Sequence, residues 1–127
     1  MTANAAPVLY SVDLEECAAI RQLTAEEVCE RFSAALADAG ATILHAMSHE
    51  FPGAGLTCAL LLSESHAVLH TWPETGTVNL DIFSCSTRLK SLDAVAELGR
   101  LFGAGTVSIQ EVPRADGHHP AAISRRA

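Results

Sequence analysis

Nowhere does the sequence run to the roughly 20 consecutive apolar residues that a membrane helix needs, so no spanning segment is predicted. Its first stretch, MTANAAPVLYSVD, lacks both a basic start and a long apolar core. No secretory leader is expected, and the cytoplasm is the expected location. Basic residues are scarce, 8 against 15 acidic, for a formal net charge of −7. That excludes the basic footprint of a nucleic-acid binder and is compatible with a small cationic substrate. The four cysteines, Cys17, Cys29, Cys58 and Cys85, form no C-x-x-C pair, so neither a zinc knuckle nor a thioredoxin-type motif is present. In a cytosolic chain they should be reduced thiols. There is no G-x-S-x-G nucleophile elbow, no internal repeat and no low-complexity run.

What remains is ordinary globular material. Hydrophobic residues fill 49% of 127 positions, enough for one domain that buries roughly two-thirds of its unfolded surface. Residues 8–12 read as a short strand. Thr24-Ala-Glu-Glu27 has the pattern of a capping box, and Val28, Phe32, Leu36 and Ala39 then recur at helical spacing up to Gly40. Strands are predicted over 41–47, 57–63 and 66–71, with the Gly-rich break Phe51-Pro-Gly-Ala-Gly55 between the first two. In 77–83, Val78, Leu80 and Ile82 alternate onto one face. Ser91 is expected to cap a second helix in which Val95, Leu98 and Phe102 share a face, ended by Gly103 and Gly105. Residues 106–112 make a last strand, and 113–127 are expected to be a loose tail after a single domain spanning 1–112. The order β-α-β-β-β-β-α-β points to an α+β, two-layer sandwich: a mainly antiparallel sheet with two helices on one face.

Polar side chains with chemical potential concentrate in Ser63-Glu64-Ser65-His66, His70, Glu74 and Cys85. Metal binding is a poor account of them. The pairs His66/His70 and His45/His49 are four apart, but in strands that spacing spans about 13 Å, too far to share one ion. A Ser or Cys hydrolase built on Ser65, His70 and Cys85 lacks its elbow motif, although residue types alone leave such a site open. Taken singly, each residue also has a plainer use: Ser65 as a turn hydroxyl, His70 as a core imidazole, Cys85 as a small buried hydrophobe, Phe51 as core, Trp72 as core or interface, Glu74 as a solvated turn residue.

The joint spacing says more. The stretch Ser63-Glu-Ser-His-Ala-Val-Leu-His-Thr-Trp-Pro-Glu74, followed by Asp81-Ile-Phe-Ser-Cys85, resembles the signature of prokaryotic S-adenosylmethionine decarboxylase proenzymes, and a weaker likeness runs from about Leu9 to Val112. The resemblance implies a self-processing enzyme that decarboxylates S-adenosylmethionine for spermidine synthesis. It implies cleavage between Glu64 and Ser65, with Ser65 converted to a covalent pyruvoyl group. His70 would assist processing by removing the α-proton, and Thr57 would aid the same step. Cys85 would be the acid that reprotonates the substrate carbon. Phe51 would stack on adenine, Glu74 would bind the ribose hydroxyls, and His66 would line the site. The resemblance further implies a homodimer whose sites are shared between subunits.

These residue types suit that chemistry. Loss of CO2 from an amino acid leaves a carbanion that needs an electron sink, which a pyruvoyl ketone supplies without a diffusible cofactor. A thiol can quench the carbanion, a carboxylate can accept from two sugar hydroxyls, and an aromatic ring can stack on a purine. On strand parity, Cys85 falls with Thr77, Asn79, Asp81 and Phe83, off the apolar stripe, where a thiol can meet substrate. Some positions depart from the family pattern: Thr57 stands in place of a serine, and Ser84-Cys-Ser86 in place of T-C-G. Such departures leave room for a relative acting on arginine or ornithine, or for an unprocessed, non-enzymatic relative. Phe51 and Glu74 favour S-adenosylmethionine over the other amino acids, and intact Ser65, His70 and Cys85 favour an enzyme.

Overall fold

The computed structural model describes residues 6–63 and 65–116. Six strands and two α-helices follow in the order β1 (Val8–Glu15), α1 (Ala25–Asp38), β2 (Ile43–Glu50), β3 (Leu56–Leu62), β4 (Ser65–Trp72), β5 (Thr77–Ser84), α2 (Ser91–Phe102) and β6 (Thr106–Pro113). All strands lie in one sheet of order β2-β3-β4-β5-β1-β6, and each neighbouring pair is antiparallel. The α+β sandwich expected from the element order is what forms.

Alternation decides which face is covered. In β3, β4 and β5 every second residue is buried: Leu56, Cys58, Leu60 and Leu62; Ala67 and Leu69; Val78, Leu80 and Ile82. They form one core with Phe32 and Leu36 of α1 and Leu98 and Phe102 of α2, so both helices cover the same face. Each fully buried Leu or Phe contributes about 2 kcal/mol. The opposite face carries no helix. Along it lie Met47 (63% exposed), Leu61 (54%) and Trp72 (48%).

Local signals behave as read, apart from longer or shifted strands, β1 running on to Glu15 and β2 lying over Ile43–Glu50, and three further differences. Thr24 and Glu27 form a reciprocal capping box at the start of α1. Gly40 and Gly103 take positive φ at the two helix ends, 109° and 67°. Ser91, however, is not a cap: Lys90 holds the cap position with no side-chain bond, and Ser91 is the first helical residue, buried at 5% exposed. A single 3-10 turn, η1 (Ile20–Gln22), not anticipated, sits between β1 and α1 because Ile20 is drawn into the core. Finally, β6 runs through Pro113, which pairs with Val8, and Arg114 N–H donates to the Pro7 carbonyl. The ordered strand therefore extends past the expected tail boundary, and tail residues from 117 on lie outside the described residues.

Candidate active site

Motif residues gather at the two ends of the central strands. At one end, the loop joining β2 to β3 brings Phe51 over the start of β3. Its backbone closes on itself, Phe51 N–H to the Gly55 carbonyl at 2.7 Å, with Ala54 held at φ 76°. A non-glycine residue there costs about 1–2 kcal/mol, so the loop is a shaped element. Phe51 is 47% exposed and packs edge-on against His49, ring centres 4.6 Å apart.

Antiparallel register then sets Thr57 of β3 opposite His70 of β4. Thr57 Oγ1 lies 2.8 Å from His70 Nδ1. Two residues on, Trp72 leads into the β4–β5 turn that carries Glu74. A cavity of about 740 Å³ opens among Phe51, Gly55, Thr57, His70, Trp72 and Glu74. That is the size range of small-molecule sites. Phe51, Thr57, His70 and Glu74, expected to act together, are thus brought together.

Trp72, read as core or interface, is not core, being 48% exposed. It forms a wall of this cavity, and its indole N–H donates to Asn79 Oδ1 at 2.6 Å. Asn79 Nδ2 in turn donates to Asp13 Oδ1 at 2.8 Å. The chain Trp72–Asn79–Asp13 crosses three adjacent strands on the helix-free face. Its only sequence signal was the shared parity of Asn79 and Asp81, which cannot name a partner 66 residues away.

At the other end sit Ser65 and Cys85. Ser65 opens β4 and pairs with Ser84 of β5, the residue before Cys85. Its hydroxyl donates to the Ser63 carbonyl at 3.3 Å. Glu64, expected on the other side of the cleaved bond, lies outside the described residues. Cys85 needs a second correction. β5 stops at Ser84, where the Ser86 N–H donates to Ser84 Oγ and turns the chain. Strand parity therefore does not carry to Cys85, which is buried at 3% exposed. His66 lines this end on the outer face, stacked on Phe83 with ring centres 5.3 Å apart.

The two ends are separate within one chain. Ser65 and His70 are five residues apart along β4, about 16 Å at the rise of a strand, and an odd spacing puts their side chains on opposite faces. The histidine pairs lie along β2 and β4, and among the described residues no three His, Cys, Asp or Glu converge as a metal-ligand set. Nor, among the described residues, is any helix long and apolar enough to cross a membrane.

Comparison with known proteins bears on the family and the fold. The chain is 39% identical over 77 residues to an S-adenosylmethionine decarboxylase proenzyme of Syntrophomonas wolfei, covering 61% of each. It is 40% identical over 76 residues to the proenzyme of that name from Acidithiobacillus ferrooxidans, covering 60% of this chain and 57% of the relative. With the Pelotomaculum thermopropionicum proenzyme it shares 34% over 89 residues, 70% of this chain and 71% of the other. The matched region thus spans about three-fifths of the first two relatives' length. The fold is shared with the crystal structure of the adenosylmethionine decarboxylase of Aquifex aeolicus, at a TM-score of 0.79 and 22% identity, over 98% of this chain and all of that one. Residues 9–115, taking in both ends of the strands and every motif residue between them, match the family profile described as S-adenosylmethionine decarboxylase, and the chain belongs to that family.

Proposed function

We propose that the chain is a self-processing decarboxylase of S-adenosylmethionine whose site is completed by a second copy of itself. The observation that carries this is the cavity. Phe51, Thr57, His70 and Glu74, drawn from the β2–β3 loop, two strands and a turn, line one space large enough for an adenosyl compound. An aromatic ring for the base and a carboxylate for two ribose hydroxyls lie on its walls. Arginine or ornithine would use neither.

Ser65 and Cys85 are not in that cavity, and no rotation within one chain bridges about 16 Å of strand. A symmetric pair resolves this, since each copy then offers its cavity end to the other's Ser65 end. The exposed apolar side chains on the helix-free face, Met47 and Leu61 among them, suit such a contact.

In processing, the Ser65 hydroxyl attacks the Glu64 carbonyl to form an ester. Expulsion of the Ser65 amino group breaks the peptide bond. His70 of the partner copy then removes the Ser65 α-proton as the Glu64 carboxylate leaves, and water hydrolyses the imine form of the resulting dehydroalanine to the pyruvoyl ketone and ammonia. Thr57, bonded at His70 Nδ1, holds the ring so that Nε2 faces the reacting atoms. Once formed, a pyruvoyl group at position 65 supplies the electron sink for the departing CO2. Ser65 fits that origin: it begins β4 and pairs with Ser84, the residue before Cys85. Cys85, buried just past the end of β5, is the acid that delivers a proton to the substrate carbon. The product would serve as aminopropyl donor for spermidine.

Intact mass of the purified protein, followed by CO2 release from carboxyl-labelled S-adenosylmethionine, tests the proposal. Two fragments separating at Glu64–Ser65 and labelled CO2 are expected. A wild-type chain that stays whole and releases none overturns it.

A further inference from the structure

Glu74 has no rigid element of its own, since it lies in the turn between β4 and β5. What holds that turn comes from elsewhere. Arg21, in the 3-10 turn after β1, donates from Nε to the Pro73 carbonyl at 2.7 Å and from its terminal nitrogen to the Glu74 carbonyl at 2.8 Å. One planar guanidinium thus grips two successive peptide groups, which fixes the backbone on both sides of the Glu74 Cα. The grip has a firm base. Ile20 beside it is 3% exposed. The N–H groups of Ala18 and Ala19 donate to the carbonyls of Gly103 and Phe102 at the end of α2, and Cys17 N–H donates to the Gly76 carbonyl at 2.8 Å.

Arg21 itself is exposed, and so are both bonds. Bonds between exposed groups add little to folding stability, because water replaces them at small cost. Their effect is on position: they select one orientation of the Glu74 segment at the cavity rim. We propose that Arg21 is a positioning residue for substrate, acting through Glu74. The proposal rests on the reading of Glu74 as the ribose ligand given above.

Arg21→Ala should raise KM for S-adenosylmethionine about tenfold, the loss expected when one of two sugar hydrogen bonds is misaligned, and leave kcat and the extent of self-cleavage within about twofold. Arg21→Lys should stay impaired, because an ammonium cannot span both carbonyls, and guanidinium ion at tens of millimolar should restore the alanine variant where methylammonium does not. Arg100→Ala serves as a charge control, since Arg100 pairs with Glu97 on the surface of α2. Trp72, the single tryptophan of the chain, reports on the same turn without substrate, and its fluorescence anisotropy should fall in Arg21→Ala. Wild-type protein without activity on S-adenosylmethionine overturns the functional reading. An active wild type with unchanged KM in Arg21→Ala, or full rescue by lysine, overturns the role of Arg21.

Discussion

Thr57 and His70 face each other across β3 and β4, with Thr57 Oγ1 2.8 Å from His70 Nδ1. One ring nitrogen is therefore committed, and on the proposed reading the other moves the Ser65 α-proton. The methyl that threonine adds over the family's serine does not prevent the contact. Thr57→Val keeps the shape and loses the oxygen, so self-cleavage should slow about ten- to hundredfold, part of what a well-placed base contributes. Thr57→Ser should cleave at least as fast as wild type. Fragment formation followed by gel after a pulse of expression reads both. Equal rates in wild type and Thr57→Val would remove Thr57 from the processing machinery.

The separation of Ser65 from His70 predicts complementation between chains. Neither Ser65→Ala nor His70→Ala should cleave alone. In a hybrid dimer, however, the His70→Ala chain keeps its own serine and meets an intact histidine from its partner. Co-expression of the two should cleave the His70→Ala chain only, and with random pairing about a quarter of wild-type activity should return. Tags of different mass identify which chain is cut. An uncut His70→Ala chain in the hybrid would show that each chain uses its own histidine, and cleavage of that chain on its own would remove His70 from processing.

Gly40 gives a prediction about the scaffold. It follows α1 at φ 109°, and an added Cβ would run into the Arg88 carbonyl oxygen on the approach to α2. Gly40→Ala therefore combines left-handed strain with a clash against backbone, and should cost about 2 kcal/mol or more. Gly53, with φ 92° but nothing within 4 Å of its added Cβ, separates the two effects. Gly53→Ala should cost only the strain, about 1 kcal/mol. Urea midpoints of the two variants give the comparison, and equal losses would show that the contact with Arg88 does not matter.

How far the sequence carries depends on how local each signal is. The alternation of Val78, Leu80 and Ile82, the helical spacing of Val28, Phe32 and Leu36, and the Thr24–Glu27 box each depend on neighbours a few residues away, and each appears in the structure as read. Contacts with no local trace are the ones missed. Arg21 reaches a turn more than 50 residues on, and Asp13 reaches Asn79 66 residues on. Cys85 was misplaced because parity holds only while a strand lasts, and a Ser84–Ser86 bond ends it one residue early.

Cys58 predicts a dependence of stability on pH. It lies on β3 at 1% exposed, beside Cys29 of α1. Burial, then the hydrogen bond and charge interaction with the Cys29 thiol, push its pKa from 9.0 up to about 12. Below pH 9.0 the thiol is protonated in both folded and unfolded chains, so it adds no slope. Above that the unfolded chain releases a proton that the folded chain keeps, and the unfolded state binds fewer protons. Stability must then fall as pH rises from 9.0 towards about 12. Every other alkaline-titrating group is common to the two proteins, so the informative quantity is a difference between them. Cys58→Ala should be less stable than wild type at pH 8, from the lost sulfur contacts, yet should lose less between about pH 8 and 10.5 because it has no thiol to ionise. Urea midpoints at the two pH values measure this. Parallel losses in the two proteins would mean that Cys58 titrates alike folded and unfolded, and that its burial against α1 does not hold the proton.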